Sequence, residues 1–238
     1  PAPRAYYLSA SGKDGSSGSR RHPWRTVEKL NSIQLEPGDS VLFEGGKTFA
    51  GKLTIDSRSR GTRLRPILIS SYGHGHAKIN GGNISALDLY QVKYVLIKSL
   101  DLTGSGRKKG NGKNGLSIIN CDYITVDRVD ITGFQKSGLL IYSSKHVLVT
   151  HVYAHENGAA GISVEGSGGK KESDGIQILN CRAEDNPGDP TNLTNHSGNG
   201  IVAGHCTNLI NPAFTQLGVG YVAGDDRAPS TASWVQDF

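Results

Sequence analysis

The chain has 238 residues, 36% of them apolar and 7% aromatic, with 32 glycines, enough apolar content for one sizeable core or two small ones. Its 26 Lys and Arg against 21 Asp and Glu give a formal charge of +5. That excess suits an acidic polymer, yet much of it sits in glycine-rich stretches (Arg107, Lys108, Lys109, Lys113; Lys170, Lys171) of the kind that form solvated loops. No apolar run reaches the roughly 18 residues that a membrane span needs, and no DNA- or RNA-binding motif accompanies the basic residues. Three scattered cysteines (Cys121, Cys181, Cys206) make neither a disulfide framework nor a paired zinc site and read as small buried residues.

In chain order, the opening Pro-Ala-Pro-Arg lacks Met, as a processed secreted chain does, and sequons at Asn83, Asn192 and Asn195 fit an extracellular surface. Export is the resulting expectation. Trp24 to Ile33, behind Pro23, is the one convincing amphipathic helix, with Trp24, Val27 and Leu30 on one face. Abundant Gly, Ser, Asn, Asp and Thr elsewhere favour short strands joined by tight turns. Strands are expected at Ser40–Phe43, Lys52–Ile55, Pro66–Ser70 and Ala77–Asn80.

From Ala86 onward the chain repeats. Ala86-Leu-Asp-Leu-Tyr, Gly115-Leu-Ser-Ile-Ile, Gly138-Leu-Leu-Ile-Tyr, Gly161-Ile-Ser-Val-Glu and Gly200-Ile-Val-Ala-Gly align, and Gly115, Gly138 and Gly161 are 23 residues apart. The longer intervals, 29 residues from Ala86 and 39 to Gly200, carry their excess in polar loops, as a solenoid does. A second alternating run follows in each coil, beginning at Val95, Ile124, Val147 and Ile176. Period-two alternation sends one face inward. It aligns Leu100, Val129, Val152 and Cys181 in one interior column and Leu102, Ile131, Ala154 and Ala183 in the next. These readings predict an all-β right-handed parallel β-helix over residues 1–204, capped by residues 1–39, because an open solenoid end would expose strand edge and core.

Tyr6-Tyr-Leu-Ser-Ala-Ser-Gly-Lys-Asp-Gly, His22-Pro-Trp-Arg-Thr-Val and Pro37-Gly-Asp-Ser-Val-Leu-Phe-Glu-Gly-Gly resemble the opening of secreted pectate-lyase-like β-helix proteins. The resemblance implies a carbohydrate-active protein, with substrate in a groove along one sheet walled by the loops that enter it, here Gly104 to Asn114, Glu156 to Ala160 and Asp185 to Asn199. Residues 205–238, with Gly204-His-Cys-Thr-Asn and Ser233-Trp-Val-Gln-Asp-Phe, resemble instead the closing strands of a CAP domain. No partner helices for His205 are visible, so this tail is expected to be a hairpin or terminal cap, or a fused fragment, without CAP function.

Registering the coils stacks Asp101, Asp130, Tyr153 and Arg182 in one outward column and Thr103, Thr132, His155 and Glu184 in the next, followed by Glu156 and Asp185. Acids, a base and a guanidinium on one edge are what lyase or hydrolase chemistry requires. The expected catalytic set is Arg182, Glu156, Asp185 and His155, with Asp130, Tyr153, Glu184, Lys171 and His196 binding substrate. For β-elimination the resemblance implies Arg182 or Lys171 as base and Ca²⁺ held by Glu184, Asp185 and Asp189, with Glu156 a further candidate. Glu156-Asn-Gly-Ala-Ala-Gly departs from the family pattern, however, because Ala159 and Ala160 cannot ligate a metal. For hydrolysis, Glu156 and Asp185 form the carboxylate pair. The same acids and asparagines at coil corners also serve simply to satisfy turn backbone. The expected function is therefore action on an acidic polysaccharide, lyase ahead of hydrolase, by a secreted monomer. The alternative is a non-catalytic glycan-binding or adhesion module using Tyr90, Tyr142 and Tyr153 as sugar platforms.

Overall fold

The computed structural model describes residues 2–108, 112–167, 173–187 and 199–203, together with the strands Gly218–Ala223 and Ala232–Asp237. Two parallel sheets wind around one apolar core. The short-strand sheet stacks six strands in the order Leu53–Ile55, Leu87–Tyr90, Leu116–Ile119, Leu139–Tyr142, Ala160–Glu165 and Asn199–Ala203. The long-strand sheet has eleven strands; Lys93–Gly104 and Asp122–Thr132 run unbroken across a bend that divides the neighbouring coils into two shorter strands each. The expected right-handed parallel β-helix is thus the observed architecture.

Register confirms the interior columns. Leu87 pairs with Leu116, Leu116 with Leu139, and Leu139 with Ile162, while Ile79, Leu102, Ile131, Ala154 and Ala183 stack in the other sheet. Each is buried, and each full burial of an aliphatic side chain is worth about 1.5–3 kcal/mol. The 23-residue glycine period has a steric cause. A Cβ on Gly115 would lie 2.5 Å from Ile131 Cγ2, and one on Gly138 would lie 2.8 Å from both Asn157 Nδ2 and the Gly161 carbonyl oxygen.

Polar ladders tie the coils together at the corners. Asn157 donates from Nδ2 to the Ile131 carbonyl (3.1 Å) and to Asn186 Oδ1 (3.1 Å), and its Oδ1 accepts from the Phe134 N–H (3.1 Å). Ser144 Oγ accepts from the Cys121 N–H at 3.0 Å. Burial pushes the Cys121 thiol up to about 11, so it is packing material, as Cys181 is in its interior column. The bends recur with left-handed backbone at equivalent residues: Ser99, Arg128, His151 and Asn180 have φ of 52, 53, 52 and 53°, and Tyr94, Tyr123 and His146 have 55, 55 and 48°.

The N-terminal helix is shorter than the sequence pattern suggests, spanning Val27–Asn31. The Asp14 carboxylate accepts the Arg25 and Thr26 N–H groups (2.8 and 3.0 Å), holding Thr26 extended as the N-cap. Trp24 therefore covers the coil end from outside the helix, stacked on Tyr6 with its Nε1 donating to the Ser16 carbonyl at 2.8 Å. Two further strands, Ala5–Leu8 and Thr48–Ala50, extend the long-strand sheet toward this end. The strands Gly218–Ala223 and Ala232–Asp237 pair antiparallel with each other. No helix of the described residues is long and apolar enough to cross a membrane.

Candidate functional site

The outward column on the long-strand sheet forms in the expected register: Asp101 pairs with Asp130, Asp130 with Tyr153, and Tyr153 with Arg182. Its side chains satisfy one another. His155 Nε2 lies 3.2 Å from Asp130 Oδ1, and its ring stacks on Tyr153 at 4.2 Å. Tyr153 donates its hydroxyl to Glu184 Oε1 (2.7 Å), Arg182 Nε donates to Glu184 Oε2 (2.6 Å), and the guanidinium lies over the Tyr153 ring. One coil earlier, His76 Nδ1 is 2.9 Å from Asp101 Oδ1. The hydrogen bond from Tyr153, with Arg182 behind it, holds the Glu184 carboxyl below its usual range. The same bond pushes the Tyr153 phenol up to about 12. Burial pushes the Asp130 carboxyl up, against the opposing pull of His155.

Glu156 and Asp185 occupy the next corner, both in left-handed backbone, with the Glu156 N–H donating to the Asp185 carbonyl at 3.0 Å. The Glu156 carboxylate faces Arg107 at 3.9 Å. Lys171, Asp189 and His196 lie outside the described residues. Of the expected calcium ligands, Glu184 has both oxygens engaged, by Tyr153 and Arg182. Among the described residues no group of three or more His, Cys, Asp or Glu side chains converges.

An open groove lies on the other sheet. Alternation points Thr54, Asp88 and Ser117 outward in one row, with Tyr90 and Ile119 in the next. Because Ser117 is small, the floor stays low, leaving a groove of about 520 Å³ flanked by Asp56, Tyr90, Lys113 and Lys136. Asp88 Oδ2 accepts from Ser85 (2.9 Å) and pairs with Lys52 (3.0 Å). Arg58 binds both oxygens of Asp56 (3.0 and 3.1 Å) and holds that carboxyl below the usual range. The lysine wall is built by loop stacking, with the Ser137 N–H donating to Asn114 Oδ1 at 3.1 Å and the Lys136 N–H to the Lys113 carbonyl at 3.2 Å. The groove thus gathers two lysines, two carboxylates already paired with cations, and Tyr90, which is 45% exposed.

None of Arg182, Glu156, Asp185, His155, Asp130, Tyr153 and Glu184 lines this groove. Of its walls, sequence reasoning singles out Tyr90 and the loop Gly104 to Asn114, from which Gly112, Lys113 and Asn114 line the groove. Asp88 was findable, since the alternation that buries Leu87 and Leu89 turns the residue between them outward.

Comparison with known proteins decides the family. The model of the Pel9A-like, right-handed beta-helix region matches residues 6–211. The chain belongs to this Pel9A-like β-helix family. A lacto-N-biosidase of Bifidobacterium longum subsp. longum is 32% identical over 133 residues, which are 53% of this chain and 8% of that protein. Among solved structures, a GH136 lacto-N-biosidase from Eubacterium ramulus superposes with a TM-score of 0.69 at 19% identity, covering 84% of this chain and 43% of that one. Pectate lyase Pel9A superposes with a TM-score of 0.62 at 19% identity, covering 85% and 50%. The chain thus spans half or less of each of these relatives, and the two superpositions establish the fold.

Proposed function

We propose that this Pel9A-like chain acts on an acidic polysaccharide laid along the short-strand sheet, and that it cleaves by β-elimination. The observation that carries this reading is the groove that gathers Lys113 and Lys136 with Asp56 and Asp88, whose charges Arg58 and Lys52 already offset. A uronate carboxylate then meets cationic groups. One ammonium neutralises it and makes the neighbouring C–H acidic, an amine takes that proton, and the C–O bond to the leaving sugar breaks as the double bond forms. The Tyr90 hydroxyl, exposed in the same groove, returns a proton to the leaving oxygen.

Hydrolysis needs a carboxylic acid that keeps its proton near neutrality, whereas Asp56 is held low by Arg58. Hydrolysis remains the second reading, because the 32% identity is to a lacto-N-biosidase. Glycan binding without turnover is the alternative from another class. The same reading makes the protein secreted and monomeric, checked by fractionating cells of the source and by light scattering.

The deciding experiment incubates the chain with polygalacturonate, alginate and a lacto-N-bioside, with and without chelator. Elimination predicts ultraviolet-absorbing unsaturated product from a uronate polymer, insensitive to chelator and lost in the double variant Lys113→Ala/Lys136→Ala. New reducing ends without that absorbance overturn elimination in favour of hydrolysis, and binding without either product overturns catalysis.

A further inference from the structure

The sequence Ser57-Arg-Ser-Arg-Gly-Thr-Arg-Leu-Arg-Pro66, which follows Asp56 of the groove just described, concentrates four arginines in one connection. Thr62 and Arg65 exchange backbone hydrogen bonds (3.0 and 3.1 Å), so Arg63 and Leu64 form the tip of a two-residue turn, with Leu64 92% exposed. Arg63 overhangs a second groove, of about 580 Å³, on the outer face of the long-strand sheet, whose floor includes Tyr94, Leu96, Tyr123, Thr125 and His146. That volume lies within the roughly 300–1,000 Å³ of ordinary ligand sites.

Charge on this face is one-sided. Among the described residues the groove's lining holds no acid, and the neighbouring Asp122 is already engaged by His146 (2.8 Å) and Lys93 (3.3 Å). Among the described residues Arg60, Arg63 and Arg65 make no ion pair. Tyr94 stacks on Tyr123 at 4.8 Å and Tyr123 on His146 at 4.4 Å, both within 4° of parallel. Tyr123 therefore has both its faces against neighbouring rings, and the ladder turns edges and hydroxyls outward. Tyr123, with a ring on each side, has no free face on which a nucleobase could stack. The ladder's hydroxyl edges suit a ligand rich in hydroxyl groups, and a guanidinium fork matches a carboxylate.

We propose that this face is a second, non-catalytic site for an acidic oligosaccharide, with Arg63 holding a uronate carboxylate and the tyrosine edges its ring hydroxyls. The site takes its ligand class from the reading above but does not depend on elimination. It lets the chain grip one stretch of polymer on the long-strand face while another stretch crosses the groove on the short-strand face.

Affinity electrophoresis of the full chain through gels containing polygalacturonate tests it. Arg63→Glu/Arg65→Glu should weaken retardation about tenfold or more, the scale of a lost charge-assisted carboxylate contact. The matched pair Arg20→Glu/Arg21→Glu, an equal charge change on exposed arginines elsewhere, should weaken it less than about twofold. Lys113→Ala/Lys136→Ala should lose any product formation yet stay retarded. Retardation that depends on Arg63 in a chain that cleaves nothing would sink the elimination reading and leave this site standing. Equal losses in the two arginine pairs, or full retardation of Arg63→Glu/Arg65→Glu, overturn the site. So does a single-stranded DNA probe that competes better than polygalacturonate. If the glutamate pair fails to match the wild-type melting curve, Arg63→Gln replaces it and should still lower retardation measurably; no change overturns the site.

Discussion

The two outward faces of the solenoid start from the same alternation and end differently. On the long-strand face, Asp130, Tyr153, His155, Arg182 and Glu184 are large enough to reach one another, and they close into a chain of hydrogen bonds and stacked rings. On the short-strand face, the residue between Leu116 and Ile118 is a serine, and the lysines come from loops, so side chains stand around a space rather than filling it. A file of chemically capable groups is therefore not by itself a site. The groups must be held apart, and small residues on the floor do that.

The sharpest break of this contrast is Ser117→Trp, which fills the groove. Turnover of a uronate polymer should fall about a hundredfold, as misplacement of substrate by about 1 Å already does, while Thr132→Trp on the other face leaves kcat/KM unchanged. Equal losses would dissolve the distinction. Asn157→Leu attacks the frame that both faces share, because it strands the Phe134 N–H and the Ile131 carbonyl. Urea denaturation should show about 3 kcal/mol less stability.

The faces also titrate in opposite senses. Asp130 is raised, so between the ordinary value of 3.8 and its higher folded one the native chain keeps a proton that the unfolded chain has released. Its contribution to stability is full below 3.8 and is lost as pH rises through the folded value. Asp56 is lowered, so its contribution is present above 3.8 and is lost as pH falls through the folded value. Asp130→Asn should remove the downward slope with rising pH, and Asp56→Asn the upward one, in melting temperatures across the acid range. The smallest effect belongs to Glu184→Gln. With the carboxylate gone, one tyrosine that ionises at about 12 should ionise earlier in an ultraviolet titration.

Much of the frame was legible because it is written in local arithmetic. A glycine every 23 residues records a corner with no room for a Cβ, and alternating Leu, Ile and Val record the interior columns. Pairing of Asp130 with Tyr153 followed from the same count. What did not follow was where each side chain spends its polar atoms: nothing in the spacing of Tyr153, Arg182 and Glu184 says that three groups on adjacent coils neutralise one another. The rest of the groove, beyond Tyr90 and the loop before Gly115, was hidden for a different reason. Lys136 reaches it through contacts between loops, and Asp56 belongs to a coil that carries no copy of the glycine repeat. At the amino end, a carboxylate twelve residues before Thr26, that of Asp14, trims the helix, a long-range contact that amphipathic spacing does not encode.

The left-handed bends at Ser99, Arg128, His151 and Asn180 fall at the same place in successive turns. Adding or removing one residue inside a strand would put a bend out of step with its neighbours above and below and turn core residues to water. Adding a whole turn would disturb neither. Reach along the molecular axis is thus quantised, and a descendant of this chain that needs to hold a longer sugar polymer can gain it by duplicating one complete winding, with all its contacts already correct.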